Sequence, residues 1–251
     1  QVSEGWYGVA FDKPLARTRE YVDIVRKVLS RKTVTHDGTH YQLPLPGGPG
    51  KPLKLSLQPH RSDIPLYLAS IGPKNLELTG EVADGWLAIF LEPESAHEHL
   101  SKIAAGRAKV GKTMEGFDVA PAVPLVIGDD PQMCAEWVRG YASLYIGGMG
   151  SKEQNFYNRL AIQMGYGEAA DAVQDHFLNK RYREAMEAVP FDFVDRTSLL
   201  GPVDRIADRL KAYAEAGVTT LSVIVFDSDV EDGVATLRSV AEALDRSGVG
   251  E

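Results

Sequence analysis

From Ile64 onward, short apolar runs alternate with stretches of helical period, and this alternation constrains the fold more than any other feature of the chain. Residues 65–69 form one apolar run, after which Gly72-Pro73 opens a helical stretch reaching Val82. A second run spans 85–90, a helix is predicted over 93–110, a strand over 119–127 and a helix over 131–145. Prolines stand at predicted helix starts, where a missing N–H does no harm because the first turn has no intrahelical acceptor. After a long, mainly helical stretch over 152–189, the pattern resumes with a helix over 202–216, a strand over 219–226 and a helix over 230–246. Strands joined through helices pair in parallel, and the helices cover the sheet. The fold class read from the pattern is therefore α/β. Four parallel strands are legible, whereas a closed (β/α)8 barrel needs eight and typically about 250 residues. Either the sheet is open or four strands lie upstream.

The chain before Ile64 reads differently. Within Pro14–Leu29 the apolar residues Leu15, Tyr21, Val22, Ile24, Val25, Val28 and Leu29 recur at roughly helical intervals, with Arg17, Arg19, Glu20, Asp23, Arg26 and Lys27 between them. This predicts an amphipathic helix. Segments 33–35 and 39–42 flank Asp37-Gly38, a dipeptide suited to the positive φ angles of a two-residue hairpin turn. Residues 44–52, rich in proline and glycine, are predicted to be a loop, and 53–57 a short extended segment. The hairpin and loop, about 31–63, and the helical stretch, about 150–190, read as insertions in a single domain covering 1–251.

A length of 251 residues with 44% hydrophobic and 25% charged composition suffices for one large core. The net charge of −8 disfavours a surface that attracts nucleic acid or acidic membranes, which leaves small molecules as the expected partners. The single cysteine, Cys134, cannot form an internal disulfide, and no long apolar run or secretory signal is present, so a cytoplasmic location is expected. Because the first residue is Gln1 rather than methionine, a leader or processing upstream stays open.

Five motifs in this order resemble the luciferase-like monooxygenase superfamily, especially its branch using the deazaflavin coenzyme F420. They are Pro14-Leu-Ala-Arg-Thr-Arg-Glu-Tyr-Val22, the hairpin ending in His40-Tyr41, Ile64-Pro-Leu-Tyr-Leu-Ala-Ser-Ile-Gly-Pro73, Ala83-Asp-Gly-Trp86 and Gly201-Pro-Val-Asp-Arg-Ile206. Each is short, but the series covers nearly the whole chain. The resemblance implies a (β/α)8 TIM barrel in which the four legible strands are strands five to eight, with strands one to four absent from this sequence. It implies further that active-site groups lie on those early strands. A homodimer is common in such a family, and outward helix faces leave room for one.

Ala69, Ser70, Ile71 and Gly72 stand where a strand passes into a helix, so unpaired backbone N–H groups and the helix dipole suit a phosphate. The resemblance implies that this loop receives the phosphate of F420; the plain alternative is an ordinary strand-to-helix turn. Glu4 follows what resembles the end of strand four and is a candidate acid or substrate-orienting group, against the alternative of a solvated carboxylate. Gln1 is a candidate contact to the cofactor ring, and Ile89, near the end of its strand, is a candidate apolar contact that is equally readable as core. Phosphosugar-using relatives carry a basic ligand shortly beyond this point, where this chain has Leu91-Glu92, so the resemblance favours an uncharged organic substrate.

Ala83-Asp-Gly-Trp86 is expected to shape the start of its strand through a turn. His97 and His99, two apart on a predicted helix, point in different directions and read as surface residues rather than a metal pair. His36, His40, His60, His176 and Cys134 lack the spacing of a metal or nucleophile site, so no metal is expected. Gly147-Gly148-Met149-Gly150 lacks the strand-to-helix context of a dinucleotide motif and reads as a flexible loop. Three functions stand side by side: an F420-dependent oxidoreductase moving hydride to or from an organic substrate, an FMN-dependent monooxygenase of the same superfamily, and a non-catalytic binding homologue.

Overall fold

The computed structural model describes residues 2–250. They cluster into two compact units: an N-terminal one of Val2–Trp86 and His99–Phe117, and a C-terminal one of Leu87–Glu98 and the described residues from Asp118 onward.

In the N-terminal unit a short π-helical turn, Val2–Trp6, precedes helix α1, Pro14–Leu29, at the predicted bounds. The predicted hairpin exists, but with a different register. Strands β1, His36–Asp37, and β2, Gln42–Leu43, pair antiparallel with His36 opposite Leu43 and Asp37 opposite Gln42. Asp37 therefore belongs to the ladder and the turn is the longer segment 38–41. The reason is Glu20 of α1, whose carboxylate accepts the backbone N–H groups of Thr39, His40 and Tyr41 at 3.0 Å each and so ties down the wider turn. Residues 44–52 form the expected loop, whereas 53–57 form no strand and contribute one backbone bond, from Val34 N to Leu53 O at 2.8 Å.

Strand β3, Tyr67–Ala69, leads into helix α2, Pro73–Val82, and then β4 starts at Gly85. Asp84 aligns these strands by donating its N–H to Leu66 O at 2.8 Å and accepting Leu66 N–H at 2.9 Å through Oδ2. Arg26 of α1 grips the same carboxylate oxygen and the Val82 carbonyl at 2.9 Å each. The Ala83-Asp-Gly-Trp86 motif thus sets the entrance of its strand, as expected. Helix α3, Ala96–Lys109, crosses α2 with backbone nearly touching backbone, since a Cβ on Gly80 would meet Ile103 O and lie 2.9 Å from Ile103 C.

The C-terminal unit is organised around β5, Asp118–Ile127. It pairs in parallel with β6, Leu199–Gly201, along 125–127 and with β7, Ser222–Val225, along 122–125. Strand β6 was not legible in the sequence, because three residues are too few to display a period. Helix α4, Pro131–Ser143, follows β5 and passes into a π-helical turn, Leu144–Gly148. Four short helices follow: α5, Phe156–Gln163; α6, Gly167–Leu178; α7, Tyr182–Glu187; and α8, Phe191–Arg196. Helices α9, Val203–Glu215, and α10, Val230–Ser247, flank β7 in the chain. Ile206, Ala207, Leu210 and Tyr213 form one face of α9 and join Val123, Leu125, Leu199 and Ala243 in the buried core. That spacing of one, four and seven residues is the periodicity from which the helix was read.

The glycine-rich segment is not the flexible loop expected. Gly147 and Gly148 lie within the π-helical turn, and Cβ atoms there would run into the Phe177 ring, so the glycines let α6 pack closely. Among the described residues no helix is long and apolar enough to cross a membrane.

Candidate functional site

The β3-to-α2 turn opens a helix that no side chain caps. Gly72 stands at the helix N-cap with extended geometry, φ −73° and ψ 151°, and no side chain caps the helix. Pro73 brings no N–H and Asn75 N–H donates to Gly72 O at 2.9 Å, so Lys74 is the first-turn residue whose N–H a helix cannot pair internally. No acidic side chain occupies the first turn, and a Cβ on Gly72 would meet nothing within 4 Å, so an approaching group finds open space. Ala69 is exposed, and Ile71 and Gly72 are half-buried.

Ser70 behaves differently from its neighbours. It is buried, its hydroxyl is hydrogen-bonded to Thr79 of α2, and its carbonyl accepts the Trp86 indole N–H at 2.9 Å. The side chain is spent on holding the turn, which leaves the backbone as what it can offer a ligand. Trp86 is backed in turn by His99, whose ring stacks on it with centroids 5.7 Å apart. His99 is therefore a packed residue rather than the expected surface one, while His97 is exposed. Glu4 is exposed and its Oε1 accepts the Phe11 backbone N–H at 3.0 Å. Gln1 lies outside the described residues.

In the C-terminal unit, Ile89 is half-buried at the last position of β4, and Phe90 directly after it has φ 52°, a left-handed conformation costly for a bulky side chain. Its surroundings hold it there. The Phe90 ring is enclosed by Phe193 at 5.2 Å, Tyr141 at 5.7 Å and Tyr145 at 5.8 Å between centroids. The buried Tyr213 O–H donates to Leu91 O at 2.8 Å. Glu92, buried beside it, faces the Arg196 guanidinium at 2.9 Å. Glu94 pairs with Arg209.

The cluster continues through tyrosines that the sequence did not single out. Tyr141 lies 4.8 Å from Tyr145 and 6.2 Å from Phe226, which directly follows β7, and Tyr145 meets Tyr157 edge-on at 4.8 Å. Burial pushes both the Tyr141 and the Tyr157 phenols above their ordinary value, so they stay protonated. The spacing of Tyr141 and Tyr145, four apart at the end of a predicted helix, was the available signal. What the sequence did not reveal was that their neighbours would come from the residues directly after β4 and β7 and from α5. Among the described residues no group of three or more His, Cys, Asp or Glu side chains is arranged to hold a metal ion. Cys134 is buried, and burial raises its thiol pKa.

Comparison with known proteins agrees with this architecture. A family model described as luciferase-like monooxygenase matches residues 1–220. A candidate coenzyme F420-dependent oxidoreductase of Mycobacterium tuberculosis is 40% identical over 244 residues, covering 94% of this chain and 70% of that protein. The 5,10-methylenetetrahydromethanopterin reductase of Archaeoglobus fulgidus is 26% identical, over 84% of this chain and 60% of its own length. The structure of the coenzyme F420 dependent tetrahydromethanopterin reductase from Methanopyrus kandleri superposes with a TM-score of 0.72 at 22% identity, covering 89% of this chain and 61% of that one. At that identity the likeness concerns the fold, and the fold is of the luciferase-like (β/α)8 type. The chain spans less than two thirds of the two reductases.

Proposed function

Because the chain belongs to the luciferase-like monooxygenase family, we propose that it is part of an F420-dependent oxidoreductase acting on an uncharged organic substrate. The observation that carries this reading is the 40% identity, over 94% of the chain, with a protein named for F420-dependent oxidoreduction. When bound, the deazaflavin supplies hydride transfer to or from the substrate. The residues of the β3-to-α2 turn fit the phosphate-bearing part of such a cofactor: an uncapped helix start, no first-turn carboxylate and open space over Gly72. Ala69, Ile71 and Gly72, with the Ser70 backbone, would hold that phosphate, and Trp86 and Thr79 would hold the turn. Ile89 is the candidate apolar contact of the C-terminal unit. Shortly beyond Ile89, where the resemblance has phosphosugar enzymes carrying a basic group, this chain has Leu91-Glu92, with Glu92 buried against Arg196, which favours an uncharged substrate. Small-molecule chemistry in a cytoplasmic homodimer completes the proposal.

Equilibrium binding of F420 and FMN to the full-length protein, followed by fluorescence, tests it. Tight F420 binding with weak FMN binding is expected, and Gly72→Ala should weaken F420 binding without lowering the melting temperature, since the added Cβ meets nothing within 4 Å. Preference for FMN would move the protein to the flavin monooxygenases, and binding of neither would overturn the enzyme reading.

A further inference from the structure

We infer that the N-terminal unit binds the anion of a medium-chain fatty acid, with the alkyl chain in an apolar groove beside the hairpin and the carboxylate at Lys51 and Lys54. Such a site lies beyond the oxidoreductase reading and does not depend on it. The groove has a volume of about 320 Å³, at the small end of the roughly 300–1,000 Å³ of ligand pockets. Val28 of α1 and the buried Val34 line it on one part, and Leu43 of β2 with Leu53 and Leu55 on another.

Backbone holds these parts together. Val34 N–H donates to Leu53 O at 2.8 Å, which ties the segment 53–57 to the start of the hairpin although it forms no strand. Leaving β2, the chain runs through the loop 44–52 and comes back to the same groove. Leu53 stays 76% exposed and Leu43 38% exposed, so internal packing does not use up the apolar lining. Covering it with an alkyl chain removes apolar surface from water on both partners.

Charge identifies the other end of the ligand. Lys51 and Lys54 line the same groove, and among the described residues neither takes part in an ion pair or a side-chain hydrogen bond. From Gly38 to Ser62 the sequence has no aspartate or glutamate, although the whole chain carries a net charge of −8. The segment thus supplies two ammonium groups and no carboxylate, and an anionic head group complements it. A concave groove takes one alkyl chain, whereas a bilayer is met by apolar side chains that project into it. With a methylene taken as about the size of a water, roughly 30 Å³, the groove holds a chain on the order of ten carbons.

Isothermal titration calorimetry of the full-length protein with hexanoate, octanoate, decanoate and tetradecanoate tests the assignment. Affinity is expected to rise about fourfold for each CH₂ added up to decanoate, and to level off once the groove is full. Decyltrimethylammonium has the same chain length and the opposite charge, and should bind about tenfold more weakly than decanoate. The double variant Lys51→Gln, Lys54→Gln should lose most of that preference. Both lysines are exposed, so the variant is expected to keep the wild-type melting temperature. Absence of binding by all four acids, affinity that does not depend on chain length, equal binding of the two head groups by wild type, or unchanged decanoate binding by the folded double variant overturns the inference. Binding to phosphatidylglycerol vesicles without binding of decanoate also overturns it and makes this face a membrane contact instead.

Discussion

Replacing Asn155 by alanine removes four hydrogen bonds made by one buried side chain. Two of them cap α5, and loss of such a cap costs about 1 kcal/mol. The other two satisfy the carbonyls of Tyr145 and Ile146; Ile146 is buried and Tyr145 half-buried. A buried acceptor left unpaired costs about 1–3 kcal/mol, with the lower end fitting the carbonyl that water can reach. The expected destabilisation of Asn155→Ala is therefore about 4 kcal/mol. Asn155→Ser separates the contributions, because serine also caps a helix but is too short to clamp the turn, and it should cost about 3 kcal/mol. Urea unfolding read by near-ultraviolet circular dichroism measures both, since the signal comes from ordered aromatic rings such as Tyr141, Tyr145 and Tyr157. If Asn155→Ser unfolds at the wild-type midpoint while Asn155→Ala does not, the cap is the whole of the effect. The clamp on the π-helical turn would then be refuted.

Gly80→Ala sets two effects of opposite sign against each other. Helix propensity alone would stabilise by up to about 1 kcal/mol, whereas the backbone of Ile103 and Arg107 leaves no room for a Cβ, so a net loss of about 1–3 kcal/mol is expected in chemical denaturation. A more stable variant would mean that α2 and α3 pack less closely than described. Glu20 gives a pH dependence. Burial pushes its carboxyl up, but the bonds from His40, Tyr41 and Thr39, with His36, outweigh this and leave it below its ordinary value of 4.5. A depressed folded-state value contributes stability that is present above the unfolded pKa and lost as pH falls through the folded one. Protection factors of the Thr39, His40 and Tyr41 amides, referred to intrinsic exchange at each pH, should thus fall as acid takes the pH below the ordinary carboxylate range, and Glu20→Gln should remove that dependence. Protection unaffected by acid would show that Glu20 does not hold the turn.

Helices α1, α2, α4, α9 and α10 were legible in the sequence to within about two residues, because each shows a buried face at helical period and α2 and α4 open on a proline. The runs that became β4 and β5 were legible as uninterrupted apolar stretches, and their alternation with helices determined the α/β class. The β3-to-α2 turn was legible too, since a strand, a glycine and a proline in succession leave few alternatives for the backbone. Tertiary structure decided the rest. The hairpin register follows from Glu20, whose reach to 39–41 has no trace in the local turn chemistry of Asp37-Gly38. Gly147 and Gly148 became packing surface because Phe177, about thirty residues on, lies against them. The tyrosine cluster depends on side chains from α4, the π-helical turn, α5 and the residues directly after β4 and β7, and contacts between residues far apart in the chain leave no period to read. Sequence periodicity records which face of an element is buried; which other element buries it is settled only when the chain has packed.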